Sequence, residues 1–262
     1  MGEENKIRDA VDAATGLVKA VPVYEDLVQP AAKEIGTGLQ TVAKTVHIAL
    51  APISALVWGY DKIEAFVKTS VAKRLEKIPP EQIQTPLPQI AGPALEALKY
   101  TGHDESLREM FAKLLATAMD KKTATIAHPS FVEIIRQLNS DEAKICRLLK
   151  KDNSFPVINL NEEREGGYYD FVRNFSTLGY EVSCQLPNMI QSYLDNLNRL
   201  GIIEIHFDKS FVDEALYQAL ETHTEIQKLF DELKAKNRKT NFERGIIERT
   251  TFGQQFVNAC VD

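Results

Sequence analysis

The sequence has few residues of the kinds that bind metals or form disulfides. Its 262 residues include three cysteines, five histidines and one tryptophan. Few, odd-numbered and widely spaced cysteines fit a reducing compartment better than a disulfide scaffold. We therefore expect Cys146, Cys184 and Cys260 to be buried thiols. No His-Glu-x-x-His or Cys-x-x-Cys occurs, so we expect neither a metal nor another cofactor.

Sequence motifs of common enzymes are missing as well. No Gly-x-Ser-x-Gly is present, and Gly36-Thr37-Gly38 lacks both the further glycine of a dinucleotide loop and the Gly-Lys-Ser/Thr ending of a phosphate loop. The sequence therefore predicts a protein that is not an enzyme.

The charge balance and the first residues indicate partners and location. A formal net charge of −6 disfavours a general nucleic-acid coat, which needs many lysines and arginines to neutralise phosphates. Met1 to Lys6 lacks the apolar h-region of a secretory signal. We expect a protein that rests in the cytoplasm and does not take nucleic acid as a partner.

Apolar residues at helical spacing predict a mainly α fold. Residues 1–30 are predicted as an N-terminal helical arm and residues 31–138 as a helical domain. Five prolines make residues 79–93 a predicted linker within this domain. The clearest helix pattern covers about residues 104–121.

Two serines are candidate helix caps in this part of the chain. Ser106 and Glu109 have the spacing of a capping box, and Ser140 precedes a further apolar pattern. Both positions therefore predict helix starts.

The last third mixes helix and strand signals. A helix pattern over residues 187–200 ends at Gly201, and Ile203, Ile205 and Phe207 then alternate as in a strand. Residues 209–236 predict one long or two shorter helices.

This order of elements is typical of a winged helix. Residues 245–249 predict a returning strand, and a closing helix follows Thr250 or Thr251. Residues 139–262 are therefore predicted as a winged-helix-like α+β domain with a helical insertion. Residues 162–167 are interpreted as a solvated loop.

The stretch of residues 35–60 is unusually free of charge, because Lys44 is its one fully charged residue. Its uncharged part of about 16 residues would reach roughly 24 Å as a helix, short of a bilayer core, whereas the whole stretch would reach about 39 Å. We predict a segment that is buried at rest, Leu56 and Val57 included, and inserts on activation. The insertion candidates are Val46, Ile48, Leu50, Ile53, Leu56, Val57, Trp58 and Tyr60.

Residues 61–78 predict an amphipathic helix that carries several basic residues. Such a helix can meet anionic lipid headgroups. The candidates for this contact are Lys62, Lys68, Lys73, Arg74 and Lys77.

Several sequence blocks resemble the abortive infection alpha family of bacterial proteins. They are His128 to Ile135 with Gln137-Leu138, Asp141 to Ile145, Tyr193 to Leu197, Arg199 to Ile203, and Thr251 to Phe256 with Ala259-Cys260. The resemblance covers about residues 20–261 and implies phage defence by abortive infection. It brings no catalytic motif with it.

Our leading hypothesis combines the resemblance with the apolar and basic segments. A phage protein would trigger a soluble resting protein, whose residues 35–78 would then form a pore in the inner membrane, as a homo-oligomer. One alternative is a regulatory winged helix that docks a protein or DNA. Another is a ribonuclease toxin using Arg199 and His206, although Gly201 should end the helix between them.

Overall fold

Helices form most of the secondary structure in the computed structural model, which describes residues 57–262. They are α1 (Tyr60–Leu75), α2 (Pro88–Thr101), α3 (Glu105–Met119), α4 (Ser130–Arg136), α5 (Ser140–Lys151), α6 (Leu178–Glu181), α7 (Ile190–Arg199), α8 (Ala215–Glu221), α9 (Thr224–Ala235) and α10 (Thr251–Cys260). Short 3₁₀ turns lie at Pro80–Gln82, Ala124–Ile126 and Pro187–Met189.

Four strands form one antiparallel sheet. They are β1 (Ser154–Arg164), β2 (Gly167–Phe175), β3 (Ile203–His206) and β4 (Thr240–Arg249), in the order β2-β1-β4-β3. β1 and β2 form a hairpin, and α8 and α9 lie in the chain between the paired strands β3 and β4.

The main hydrophobic core is built around α3. Phe111 and Leu114 of this helix are fully buried, and α1, α2 and α10 pack on it. The same core continues through α5 and α7 to one face of the sheet. Described residues on both sides of position 139, where the sequence predicts a domain boundary, therefore share one core.

A smaller core covers the opposite face of the sheet. Ile158 and Phe175 of the hairpin meet Tyr217, Leu220 and Ile226 from α8 and α9. The inserted helices thus bury the second face of the sheet, which is why both faces of β1 carry apolar residues.

The helix-rich prediction is confirmed, and several elements lie where the sequence places them. α1 starts one residue before the predicted range 61–78, and α3 starts one residue after the beginning of the predicted range 104–121. β3 pairs with β4, as predicted. Residues 209–236 contain two helices rather than one. Gly201 has φ 71°, as the residue after a helix end commonly does.

The winged-helix prediction is not confirmed. The hairpin β1–β2 stands between α5 and α7, where the sequence predicts no strand, and its two strands enlarge the sheet to four. The predicted solvated loop at residues 162–167 is right in part: residues 163–167 are exposed and positions 165–166 form a turn, but Glu162 is a buried residue of β1 and Gly167 begins β2.

Helix starts differ from the predicted caps by one or two residues. Asp104 rather than Ser106 caps α3, and its side chain accepts a hydrogen bond from the N–H of Leu107. Asn139 rather than Ser140 caps α5, in a capping box with Glu142. α2 begins at Pro88, inside the predicted linker, because proline fits the first turn of a helix.

Some predictions fall on residues 1–56, which lie outside the described residues. They are the N-terminal arm and the apolar stretch up to residue 56. Within residues 57–262, no helix is both long enough and apolar enough to cross a membrane.

Candidate functional site

The candidate site is built on α1, whose apolar residues recur at helical spacing. Ile63 and Val71 are buried, and Phe66 and Val67 are half-buried against the main core. α1 packs chiefly on α3 and touches α2 much less. Its remaining surface faces solvent.

Trp58, just before α1, contacts the end of α2. Its backbone N–H donates to the carbonyl of Lys99 at 2.8 Å, and its ring meets Phe66 edge-on at 5.6 Å. The guanidinium of Arg108 lies 6.0 Å from the ring centre. The half-buried indole is therefore part of the packing of α1, α2 and α3.

A groove of about 820 Å³ separates α1 from α2. We call it the α1–α2 groove; its lining residues are Tyr60, Ile63, Glu64, Val67, Lys68, Gly92, Leu95, Glu96 and Lys99. The groove exists because both helices pack on α3 and little on each other.

The predicted insertion residues have different positions. Val46, Ile48, Leu50, Ile53 and Leu56 lie outside the described residues. Tyr60 is 77% exposed, and Trp58 is packed as described. Val57 is 38% exposed, so the expectation that it is buried at rest is wrong, because the chain at this point runs over the surface before α1 begins.

Four of the predicted lipid-contact residues are exposed. Lys62, Lys73 and Lys77 are exposed, and Lys68 is exposed while it pairs with Glu64 at 2.6 Å. The hydrogen bond to Glu64 raises the pKa of Lys68 above its ordinary value. These residues can therefore meet an anionic surface in the conformation described.

Arg74 does not belong with them. Its guanidinium donates to Glu109 at 2.8 Å and to Asp262, and its side chain is only 15% exposed. Burial lowers the pKa of Arg74, but the bonds to Asp262 and Glu109 outweigh burial and raise it. Arg74 thus joins α1 to α3 and to Asp262, the second residue after α10, and it is not an exposed cation like the lysines beside it.

The structure also contains a buried polar network that the sequence did not reveal. The carboxylate of Asp141 accepts from the N–H groups of Gln185 and Leu186, at 2.8 and 3.1 Å. It also accepts from the ammonium of Lys144 and the hydroxyl of Tyr193, at 3.0 and 3.1 Å. These bonds join α5 to α7.

Glu142 completes this network from the next position. Its two carboxylate oxygens accept from the N–H of Asn139 and from the side-chain amide of Asn196, both at 2.8 Å. The spacing of Asn139 and Glu142 in the sequence fits a capping box at the start of α5. No sequence signal connected either acidic residue with α7.

The two adjacent carboxyls have pKa values that are shifted in opposite directions. Burial raises the pKa of Asp141, but the hydrogen bonds from Gln185, Leu186, Lys144 and Tyr193 outweigh it, and the pKa lies below its ordinary value. Burial raises the pKa of Glu142, and its hydrogen bonds do not compensate. Both groups face protein partners, so we assign them to positioning α7 on α5.

Arg199 and His206 have separate partners. Arg199, at the end of α7, donates to Asn196 and Gln137. His206, at the end of β3, lies within 3.6 Å of carboxylates of Glu204, Glu248 and Asp208. The described residues contain no group of three or more His, Cys, Asp or Glu placed to hold a metal.

The prediction for the cysteines is confirmed. Cys146, Cys184 and Cys260 are free and buried. Burial raises the pKa of Cys146 to about 12 and that of Cys184 to about 11. All three therefore stay protonated thiols at neutral pH.

The blocks that carry the family resemblance meet in the core. Phe131 packs against Phe252 and Phe256, each at 5.3 Å between ring centres. A β-carbon at Gly253 would lie 2.0 Å from the carbonyl oxygen of Ile202, so glycine lets α10 approach the turn after α7. These residues hold the fold together rather than forming an open site.

Comparison with known proteins identifies one family. The model of the family described as abortive infection alpha matches residues 59–260. No curated protein matches. Among solved structures, an uncharacterised protein from the marine bacterium Alcanivorax borkumensis matches with 19% identity and a TM-score of 0.38, over 54% of this chain and 96% of that one.

Proposed function

The chain belongs to the abortive infection alpha family, and from this membership we propose that it stops phage infection by damaging the inner membrane of the infected cell. Abortive infection is a phage-defence response, and that role is the one that the family match supports. The membrane step is our own proposal. It assigns the action to residues 35–78, and it includes no catalysis.

The surface around α1 is the observation that carries the membrane proposal. Exposed aromatic side chains and lysines occur on α1 and at the end of α2: Tyr60 is 77% exposed, Tyr100 is 63% exposed, and Lys62 and Lys99 are exposed as well. Tyr60 and Lys99 line the same groove. Aromatic side chains and lysines are the residues that anchor proteins at the interface between headgroups and water. The surface can therefore touch a bilayer without unfolding.

The apolar stretch before α1 supplies the proposed membrane-disrupting element. Residues 35–60 contain one fully charged side chain, Lys44, and about 26 residues of helix would span roughly 39 Å. We propose that a phage protein triggers its insertion, and that several copies insert together. The protein rests in the cytoplasm and reaches the inner membrane on activation.

A non-enzymatic mode of action is proposed because the sequence contains no catalytic motif. Membrane damage ends an infection without chemistry, since loss of the membrane potential stops the energy supply that phage replication needs. In this proposal the residues of the Asp141 network keep the fold rigid and take no part in the damage.

An infection experiment tests the proposal. Cells with and without the protein are infected, and entry of a membrane-impermeant dye is followed together with the integrity of total RNA. The proposal predicts dye entry before phage release, with intact RNA, only in cells that contain the protein. An intact membrane with degraded RNA would favour the ribonuclease alternative. An intact membrane and intact RNA with full protection would favour a regulatory docking module.

This experiment needs the full chain. A fragment of residues 139–262 would lack α3. The surfaces of α5 and α10 that pack on α3 in the main core would then be exposed to water. Exposing that surface costs about 25 cal/mol per Å². The fragment is therefore not expected to fold as the intact protein does.

A further inference from the structure

The α1–α2 groove has an apolar lining that nothing in the described part of the chain fills. Ile63, Val67 and Leu95 provide aliphatic surface along it, and Leu95 is exposed. Apolar surface of this kind gains about 25 cal/mol per Å² when it is removed from water. A groove with such a lining between helices is a common form of ligand site.

Charged residues of both signs line the same groove. Lys68 is paired with Glu64 across one turn of α1. Lys99 and Glu96 on α2 make no ion pair with any other described residue. Within residues 57–262, the ammonium of Lys99 and the carboxylate of Glu96 are thus groove charges without an ion-pair partner, and they lie next to aliphatic surface.

A phospholipid has the matching chemistry. Its acyl chain is a flexible hydrocarbon chain, and its phosphate is an anion. An amine in the headgroup adds a cation that a carboxylate can bind. Charge complementarity with Lys99 and Glu96 distinguishes it from a plain hydrocarbon and from an acidic lipid without an amine.

We propose that the α1–α2 groove binds one acyl chain of an amine-bearing membrane phospholipid, with its phosphate at Lys99 and its amine at Glu96. The inference rests on the proposed membrane function and deepens it by naming the lipid and the residues. Binding would hold α1 and α2 against the bilayer, with the exposed Tyr60 in the lining of the groove.

Gly92 makes the inference testable with little risk to the fold. It lies in α2 and lines the groove, and a β-carbon built there meets nothing within 4 Å. Leucine at this position would therefore point into open space while it favours the helix. Gly92→Leu should fill the groove, and Gly92→Ala should leave it open.

Trp58 provides the signal, because it is the single tryptophan of the chain and lies beside Lys99. The full-length protein is titrated with a lysophosphatidylethanolamine that carries bromine on its acyl chain, below the concentration at which it forms micelles. Bromine close to the indole quenches its fluorescence. The wild type and Gly92→Ala should show saturable quenching with equal midpoints.

The titration midpoints of Gly92→Leu and Lys99→Gln test whether the lipid binds in the α1–α2 groove. Gly92→Leu should raise the midpoint about tenfold or more, and Lys99→Gln should raise it several-fold. Absence of saturable quenching in the wild type, or equal midpoints for Gly92→Leu and the wild type, would overturn the inference. Because this experiment uses monomeric lipid, either result leaves the infected-cell test of the proposed function unaffected.

Discussion

The ring of Trp58 lies so close to Gly102 that a β-carbon built at Gly102 would fall 2.3 Å from atom Cδ2 of the indole. Gly102 ends α2 with φ −60°, a conformation that any residue can adopt. The same β-carbon would lie 2.7 Å from the carbonyl oxygen of Leu98. The glycine is therefore required by its contacts with Trp58 and Leu98 and not by its φ.

This relationship predicts the effect of Gly102→Ala. The new methyl group must displace the indole, so we expect the free energy of unfolding to fall by about 1 to 3 kcal/mol, as for other overpacked sites. The fluorescence emission of Trp58, the single tryptophan, should shift to longer wavelength as its indole becomes more exposed to water. Urea unfolding followed by fluorescence measures both. Gly92→Ala is the matched control and should be neutral or slightly stabilising.

We expect Arg74→Gln to lower the free energy of unfolding, whereas the same substitution at the adjacent Lys73 should leave it almost unchanged. Arg74→Gln removes the ion pairs with Glu109 and Asp262 and leaves the two carboxylates without their common partner. We expect a loss of about 1 to 2 kcal/mol, since the pair is only partly buried. Lys73→Gln changes an exposed charge on the same helix and should alter stability by less than about 0.5 kcal/mol. Equal effects of the two substitutions would contradict the structural role of Arg74.

Asp141→Asn should destabilise the protein in a way that depends on pH. The pKa of Asp141 is depressed in the folded state, below its ordinary 3.8, so its ionised form stabilises the fold at higher pH. That stabilisation is lost as the pH falls through the folded-state pKa. We expect a loss of about 2 to 3 kcal/mol at pH 7, from weakened hydrogen bonds to a charged group, and a smaller loss below about pH 4.

Glu142→Gln is the companion measurement, because the pKa of Glu142 is shifted the other way. Its raised pKa means that the ionised form costs stability as the pH rises above its ordinary 4.5. Relative to the wild type, Glu142→Gln should therefore become more favourable as the pH increases. Urea midpoints from pH 3 to pH 7 test both variants, and parallel curves for the three proteins would refute the opposite shifts.

The sequence was sufficient for elements whose buried residues are mostly apolar and regularly spaced. Leu107, Phe111, Leu114 and Ala118 are buried on α3 in the pattern that predicted this helix. The hairpin β1–β2 escaped prediction because its buried positions include Asn159, Asn161 and Glu162, which break any apolar alternation. Gly166 and Gly167 at its turn were the available signal.

The candidate site could be predicted only in part, for a related reason. The helical pattern of residues 61–78 predicted α1 correctly, and the lysines of this range are exposed. Sequence alone could not separate Arg74 from the exposed lysines, since its partners Glu109 and Asp262 lie 35 and 188 positions away. The α1–α2 groove depends on how two helices pack on a third, which spacing within one helix does not encode.

The exposed lysines of α1 carry the next prediction. Lys62 and Lys73 are three helical turns apart and thus share a face, and Lys77 follows the helix. Changing all three to Gln should weaken attraction to an anionic membrane by about 1 kcal/mol per charge and leave folding almost unchanged, because all three are exposed. Protection against phage should fall in plaque counts, at equal protein level.

We propose that the protein acts on the membrane of the infected cell, and the membrane potential reports this action. It is recorded in single infected cells with a potential-sensitive dye, for the wild type and for the Lys62/Lys73/Lys77→Gln variant. We expect cells with the wild-type protein to lose their membrane potential before phage release, and cells with the variant to lose it later or not at all. Cells that are protected by the wild-type protein and still keep their membrane potential would rule out the proposed membrane action.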